Sequence, residues 1–262
     1  MIKEELNIIK VGGAVVEDEE SLSGLLMSFS SLRGTKILVH GGGKIATEVA
    51  TKLGIETQMI DGRRVTGAEM LKVVTMVYGG LVNKNVVARL QALGVNAIGL
   101  TGADMNLILS VKRPVELVNF GYVGDVKYVN VRALAALLGT GAVPVFAPLT
   151  HDKEGTILNT NADTIASALA RALSEKYSVT LTFCSSIPGV LKDVGDPTSL
   201  IKTVSKADFE SMVSDGTISE GMIPKLQNAF DAINAGVSKV VITSASNLSG
   251  GTTILADPET DD

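Results

Sequence analysis

Ile37-Leu38-Val39-His40-Gly41-Gly42-Gly43-Lys44 carries a β-prone run straight into three consecutive glycines, and a helix-like segment, residues 45–53, follows at once. Glycine lacks a Cβ, so it reaches positive φ and lets a ligand come close to backbone N–H groups. Where such a turn opens a helix, unpaired N–H groups and the positive end of the helix dipole form a site for an anion. The same residues also read as a tight strand–helix turn with no ligand, so the rest of the chain has to decide between the two.

Working outward, apolar β-prone runs recur at residues 6–11, 95–100, 143–147, 179–183 and 239–243, with a last piece at 252–255. Helical spacing occupies 21–31, 68–93, 131–138, 164–173, 206–213 and 225–235, with Gly79-Gly80 as a break or a close packing point inside the second. Residues 55–65 read as hairpin pieces around Asp61-Gly62, and 107–127 as extended pairs turned at Gly121 and Gly124. Strands alternating with helices predict an α/β protein with a mostly parallel sheet. A boundary between two lobes, 1–176 and 177–262, is placed near Glu175-Lys176-Tyr177, and the acidic tail 257–262 reads as frayed.

Composition narrows the function. With a net charge of -5 and no basic cluster interleaved with aromatics, nucleic acid is not an expected partner. The longest uncharged run near residues 131–149 is cut by Gly139, Gly141, Pro144 and Pro148, so no membrane span is expected, and the first residues show no apolar signal core. The single cysteine, Cys184, excludes an intrachain disulfide and fits a cytoplasmic protein. Two histidines and one cysteine are too few for a transition-metal cluster, which leaves magnesium carried in by a nucleotide.

Four stretches carry candidate chemistry. Lys10 ends the first strand, directly before Val11-Gly12-Gly13, at the strand edge where open α/β sheets bind ligands. Asn159-Thr160-Asn161-Ala162-Asp163 precedes a helix; one of its polar residues serves as N-cap, and alternation in an extended segment sets Asn159, Asn161 and Asp163 on one face. Gly221-Met222-Ile223-Pro224-Lys225 opens another helix and puts a lysine in the first turn, against the helix dipole unless an anion neutralises it. Arg63-Arg64 beside Gly62 offers a guanidinium fork for a carboxylate. Lysines, an aspartate and glycine-rich N–H turns, with no histidine or cysteine suited to nucleophilic work, make an inventory for phosphoryl transfer.

Taken in order, Lys10-Val11-Gly12-Gly13, His40-Gly41-Gly42-Gly43, Gly62-Arg63-Arg64-Val65-Thr66, Asn83-Lys84, Asn159 to Asp163 and Gly221 to Lys225 resemble the motifs of the amino acid kinase family. The resemblance implies a three-layer αβα sandwich and ATP-dependent phosphorylation of the γ-carboxylate of an N-acyl-L-glutamate, acetyl before succinyl, in arginine biosynthesis. It implies that Lys10 and Lys225 neutralise the phosphates, that Asp163 holds both lysines, and that N–H groups of Gly12-Gly13 and Gly42-Gly43 cradle phosphate and the reacting carboxylate. Arg64 and Asn159 are implied for the α-carboxylate and amide, with Asn161 beside them. The nucleotide falls to Ser185, Ser186, Gly189, Gly221 and Met222 in the later lobe, as ATP with magnesium. The family's Thr-Asp-Val-Pro-Gly stretch is here Ser185-Ser186-Ile187-Pro188-Gly189, without the acid. The extra amino-terminal helix of arginine-inhibited hexamers has no counterpart before the first strand, so the resemblance implies an arginine-insensitive homodimer.

A rival remains: Gly41 to Ala46 satisfies the loose G-x-G-x-x-G/A pattern with Asp61 twenty residues on, which predicts a nicotinamide-dependent oxidoreductase. It leaves Lys10, Asp163 and Lys225 without work. A phosphate P-loop does not fit, because Ile45 follows Lys44 and Leu38 stands where its first glycine belongs. Carbamate, aspartate and glutamate 5-kinase activities are the alternatives within the family.

Overall fold

The apolar run after Lys3 forms β1 (Glu4–Val11), and the computed structural model, which describes residues 3–60, 62–193, 195–218 and 222–256, builds the sheet outward from it. A short α1 (Gly13–Glu17) and α2 (Glu19–Ser31) lead to β2 (Thr35–His40), then α3 (Gly43–Lys52) and a ribbon of β3 (Met59–Ile60) and β4 (Arg63–Arg64). α4 (Ala68–Val74), a π-helical segment (Thr75–Val82) and α5 (Asn83–Ala92) run on without interruption, and a turn at 93–96 leads to β5 (Ala97–Leu100). β6 (Ile108–Lys112) pairs with β7 (Gly124–Val129), and α6 (Val131–Leu138) leads to β8 (Val143–Phe146). The hairpin of β9 (Leu149–His151) and β10 (Ile157–Asn159) delivers the chain to α7 (Ala162–Leu173). The remainder is β11 (Tyr177–Ser185), β12 (Thr203–Val204), α8 (Lys206–Ser214), α9 (Ile223–Asn234), β13 (Lys239–Ser244) and β14 (Thr252–Ile254).

Eight strands form the main sheet in the order β12-β14-β13-β11-β1-β2-β8-β5, and all its pairs are parallel except β13 with β14. Side chains alternate across a strand, so β1 feeds two cores. Leu6 and Ile8 join Ile165 and Leu169 of α7 and Leu226 of α9, while Ile9 and Val11 join Leu25 and Phe29 of α2 and Leu90 of α5. Helices therefore cover both faces, the three-layer αβα arrangement. α2 shows how sequence sets this: Leu22, Leu25, Leu26 and Phe29 lie on one face, and the Asp18 carboxylate caps the helix by accepting from the Ser21 N–H. No helix among the described residues is long and apolar enough to cross a membrane.

The structure refines three sequence expectations. Val11 closes the first strand and Gly13 already starts α1. Of the two readings of Gly79-Gly80, close packing holds: Gly79 packs against Leu149, whose Cδ1 a Cβ would meet at 3.4 Å, and the backbone widens there into π-helical turns. The extended segment through residue 163 ends earlier, since α7 begins at Ala162. The boundary near residue 176 falls just before β11, which pairs with β1 along eight residues, so the segments on either side share one sheet. The acidic tail, Asp61 and Gly221 lie outside the described residues.

Candidate active site

β1 and β2 end side by side, and the glycines that follow them pack against each other. The Gly41 N–H donates to the Val11 carbonyl at 3.0 Å and the Gly12 N–H to the Cys184 carbonyl at 3.0 Å. A Cβ on Gly41 would stand 3.0 Å from the Gly13 nitrogen, too close for any side chain there without movement. Gly42 has φ +154°, and a Cβ on it would press on Tyr78 and Val82 at 3.3 Å. Helix α3 begins immediately afterwards with Gly42 at its N-cap; Gly42 brings no capping side chain, and of the first N–H groups that of Lys44 donates to Glu17 Oε1 at 3.1 Å.

Two clefts open at this edge. The first, about 490 Å³, is lined by Lys10, the Gly41-Gly42-Gly43 turn, Arg64, Tyr78, Asn159, Asn161 and Asp163. The second, about 210 Å³, is lined by Lys10, Gly12, Gly13, Asp163, Ser185, Ser186, Lys225 and Asn228. Lys10, Gly13, Ala14 and Asp163 belong to both walls. There the Lys10 ammonium forms an ion pair with Asp163 Oδ1 at 2.8 Å, both side chains mostly shielded from water.

Asp163 was expected to hold both lysines. Its direct ion pair is with Lys10, whereas Lys225 senses it at longer range: burial and the Lys10 charge push the Lys225 ammonium below its usual pKa, and Asp163 opposes them. Burial likewise pushes the Cys184 thiol up to about 12 despite the nearby Lys10, which makes it an inert wall of the second cleft.

Arg64 is buried on the floor of the first cleft, where its Nη2 donates to the Gly43 carbonyl at 2.6 Å and to Thr47 Oγ1 at 2.8 Å. Asn159 donates from Nδ2 to Thr66 Oγ1 at 2.9 Å. Asn161 is the N-cap of α7: its Oδ1 accepts from the N–H groups of Asp163 at 2.8 Å and Thr164 at 3.2 Å. That cap replaces the expected alternation and seats Asp163 in the first helical turn, where the dipole favours a carboxylate.

Ser185 and Ser186 line the second cleft as expected of nucleotide residues. Gly189 lines neither cleft and packs on Thr252, whose Oγ1 would lie 2.6 Å from an added Cβ. Met222 is buried in the core and lines neither. Lys44 is exposed at the rim of the first cleft, the helix-surface position expected of it. Sequence reasoning missed Tyr78 and Asn228. Tyr78 sits in an apolar helical run that reads as core, and burial raises its hydroxyl pKa.

The arrangement suits the joining of two anions: a shared lysine–aspartate wall, a second lysine and two glycine turns. The profile of the amino acid kinase family matches residues 5–244. An acetylglutamate kinase of Bacteroides thetaiotaomicron is 60% identical over 245 residues, covering 94% of this chain and 95% of its own. That of Methanopyrus kandleri is 43% identical over 250 residues, covering 94% and 98%. Among solved structures, smu.665 of Streptococcus mutans superposes with a TM-score of 0.78 at 29% identity, covering 96% of this chain and 99% of that one. The dinucleotide reading of Gly41 to Ala46 is overturned by these likenesses. By motif order, sheet topology and sequence identity alike, the chain belongs to the amino acid kinase family.

Proposed function

We propose that the protein transfers the γ-phosphoryl group of ATP to the γ-carboxylate of N-acetyl-L-glutamate, giving the acyl phosphate and ADP in arginine biosynthesis. The observation that carries this reading is the Lys10–Asp163 pair on the wall common to both clefts. The first cleft takes the acyl amino acid and the second the nucleotide. A carboxylate oxygen forms the new bond to phosphorus as the bond to the ADP oxygen breaks. The acceptor is ionised at neutral pH, so no proton is removed and no general base is needed. What must be overcome is repulsion between two anions in a partly dry site, where positioned charges and N–H dipoles act strongly.

Lys10 meets the phosphoryl group between the clefts, Lys225 the phosphates in the second, and the Gly42 and Gly43 N–H groups the reacting carboxylate. Arg64 and Asn159 take the α-carboxylate and amide, and Asn161 sets the helix turn that presents Asp163. Gly12, Gly13, Ser185 and Ser186 flank the nucleotide. Magnesium arrives with ATP and spreads its phosphate charge. No group of three or more histidine, cysteine, aspartate or glutamate side chains suited to a metal occurs among the described residues. The lobe up to residue 176 thus serves the amino acid and the later lobe ATP.

A cytoplasmic homodimer belongs to this reading. The single cysteine is buried, β5 forms a sheet edge, and Met76, Leu81 and Ile98 are exposed apolar side chains. The test is ADP release coupled to hydroxylamine trapping of the acyl phosphate, comparing N-acetylglutamate, N-succinylglutamate and free glutamate. N-acetylglutamate is expected to turn over fastest; no turnover with any of the three rejects the assignment.

A further inference from the structure

His40 and Asn83 fall outside the roles assigned above, yet both are almost fully buried beside the glycine turn. His40 closes β2, and its two ring nitrogens face two partners: Nδ1 lies 2.7 Å from the Gly41 carbonyl oxygen and Nε2 3.1 Å from Asn83 Nδ2. Asn83 opens α5, and the same amide nitrogen donates to the Val145 carbonyl of β8 at 2.9 Å. A carbonyl accepts only from a donor, so Val145 fixes which end of the Asn83 amide is nitrogen. That nitrogen cannot accept a hydrogen bond. His40 Nε2 is therefore the bare acceptor, and the ring proton resides on Nδ1, donated to Gly41. Burial supports a neutral ring by pulling its pKa down to about 4.

The other end of the amide shows what this orientation sacrifices. Asn83 Oδ1 is buried without a hydrogen-bond partner, packed against Gly99, where an added Cβ would lie 1.9 Å away. An unmet buried carbonyl is unfavourable on its own and persists here because both amide hydrogens are engaged.

We propose that Asn83 and His40 form a positioning strut for phosphoryl transfer: Val145 orients Asn83, Asn83 selects the Nδ1–H form of His40, and His40 holds the Gly41 carbonyl. Peptide bonds among the described residues are trans, so pinning that carbonyl sets the Gly42 N–H on the opposite side of the same peptide, away from the imidazole. Gly42 lines the first cleft, and its N–H is one of the donors assigned to the acceptor carboxylate. His40 and Asn83 do not touch the reactants; they aim a group that does. The inference rests on the proposed function only for what the aimed N–H does; the tautomer and the aim are properties of the protein alone.

Two readouts on the full chain test the strut. Long-range nitrogen–proton NMR correlations should find His40 neutral with its proton on Nδ1, and with only one other histidine, His151, the signal is readily assigned. A proton on Nε2 overturns the proposal. In kinetics, His40→Asn keeps an amide N–H near the Nδ1 position, whereas His40→Gln reaches only toward Nε2. His40→Gln is expected to lower kcat about 10²-fold, the scale of an oxyanion donor lost, with the KM for ATP within about twofold. His40→Asn should fall less than about tenfold, although both variants lose similar thermal stability. Equal losses of kcat in the two variants overturn the strut and leave a structural histidine. Should the wild-type protein not turn over N-acetylglutamate, the functional assignment fails separately. The strut is then decided by Gly42 amide exchange in His40→Gln: faster exchange supports it, and wild-type protection refutes it.

Discussion

The acceptor side and the donor side of the site are held differently. Around the first cleft His40, Arg64, Asn159 and Asn161 are all hydrogen-bonded within the protein, and in the glycine turn they surround a Cβ on Gly41 or Gly42 would stand only 3.0 or 3.3 Å from its neighbours. On the second cleft Lys225 forms no ion pair within 4.0 Å among the described residues, and burial and Lys10 together disfavour its charge. The acceptor side is thus organised by folding, whereas the donor side gains its electrostatic balance from the phosphates it binds. A buried cation beside another cation is unfavourable alone and favourable once an anion enters. On the proposed roles, this division places the specificity for the amino acid in the hydrogen-bonded frame and the drive for transfer in the lysines.

The comparison breaks first at the lysines. Lys225→Ala and Lys10→Ala are each expected to lower kcat about 10³-fold, close to 4 kcal/mol of transition-state stabilisation, while the fold survives. Calorimetry should show acetylglutamate binding nearly unchanged in Lys225→Ala; a large loss there would erase the distinction between the sides.

The buried histidine gives the next largest effect, now on stability. The His40 pKa is about 4 in the fold against 6.5 ordinarily, so between those values the unfolded chain binds the extra proton. Stability therefore rises with pH across that window, and its contribution, about 3 kcal/mol, is lost as pH falls from 6.5 toward 4. Urea unfolding of wild type and His40→Asn across this range checks it: the difference between the two should carry the slope, and parallel curves would contradict it.

Arg64→Lys should raise the KM for acetylglutamate about tenfold, roughly 1.4 kcal/mol, because a point charge cannot bind Gly43, Thr47 and a carboxylate at once. An equal rise in the KM for ATP would show that the two clefts are not separate. The smallest effect is the alkaline limb of kcat/KM. Lys225 must be charged to act, and its pKa lies below the ordinary 10.5, so activity should start to fall at lower pH than an exposed lysine would dictate.

Much of this was legible in the chain. The alternation of strands and helices predicted the parallel sheet because buried parallel strands leave continuous apolar runs between glycine-ended turns. Lys10 and Asp163, far apart in sequence, were singled out separately, and the structure brings them within 2.8 Å. What the residues alone did not disclose depends on geometry beyond local pattern. The π-helical segment at Thr75–Val82 keeps the composition of an ordinary helix, so Gly79-Gly80 read as a break or a close packing point and nothing local announced the widened turns. Asn161 and Asp163 shared a period-two pattern that only the helix start at Ala162 divides. His40 and Asn83 stood within matched motifs, but their bond spans 43 residues, and nothing local to either indicates the other.

The measurement closest to the central claim is a single-turnover comparison of wild type and Lys10→Ala with ATP and N-acetylglutamate, with the affinity for each substrate measured separately. Lys10 stands on the wall between the two clefts. The expectation is that both substrates still bind within about tenfold of wild type while acyl phosphate forms about 10³-fold more slowly. Acyl phosphate formed at the wild-type rate by Lys10→Ala would contradict the claim that transfer takes place across the Lys10–Asp163 wall.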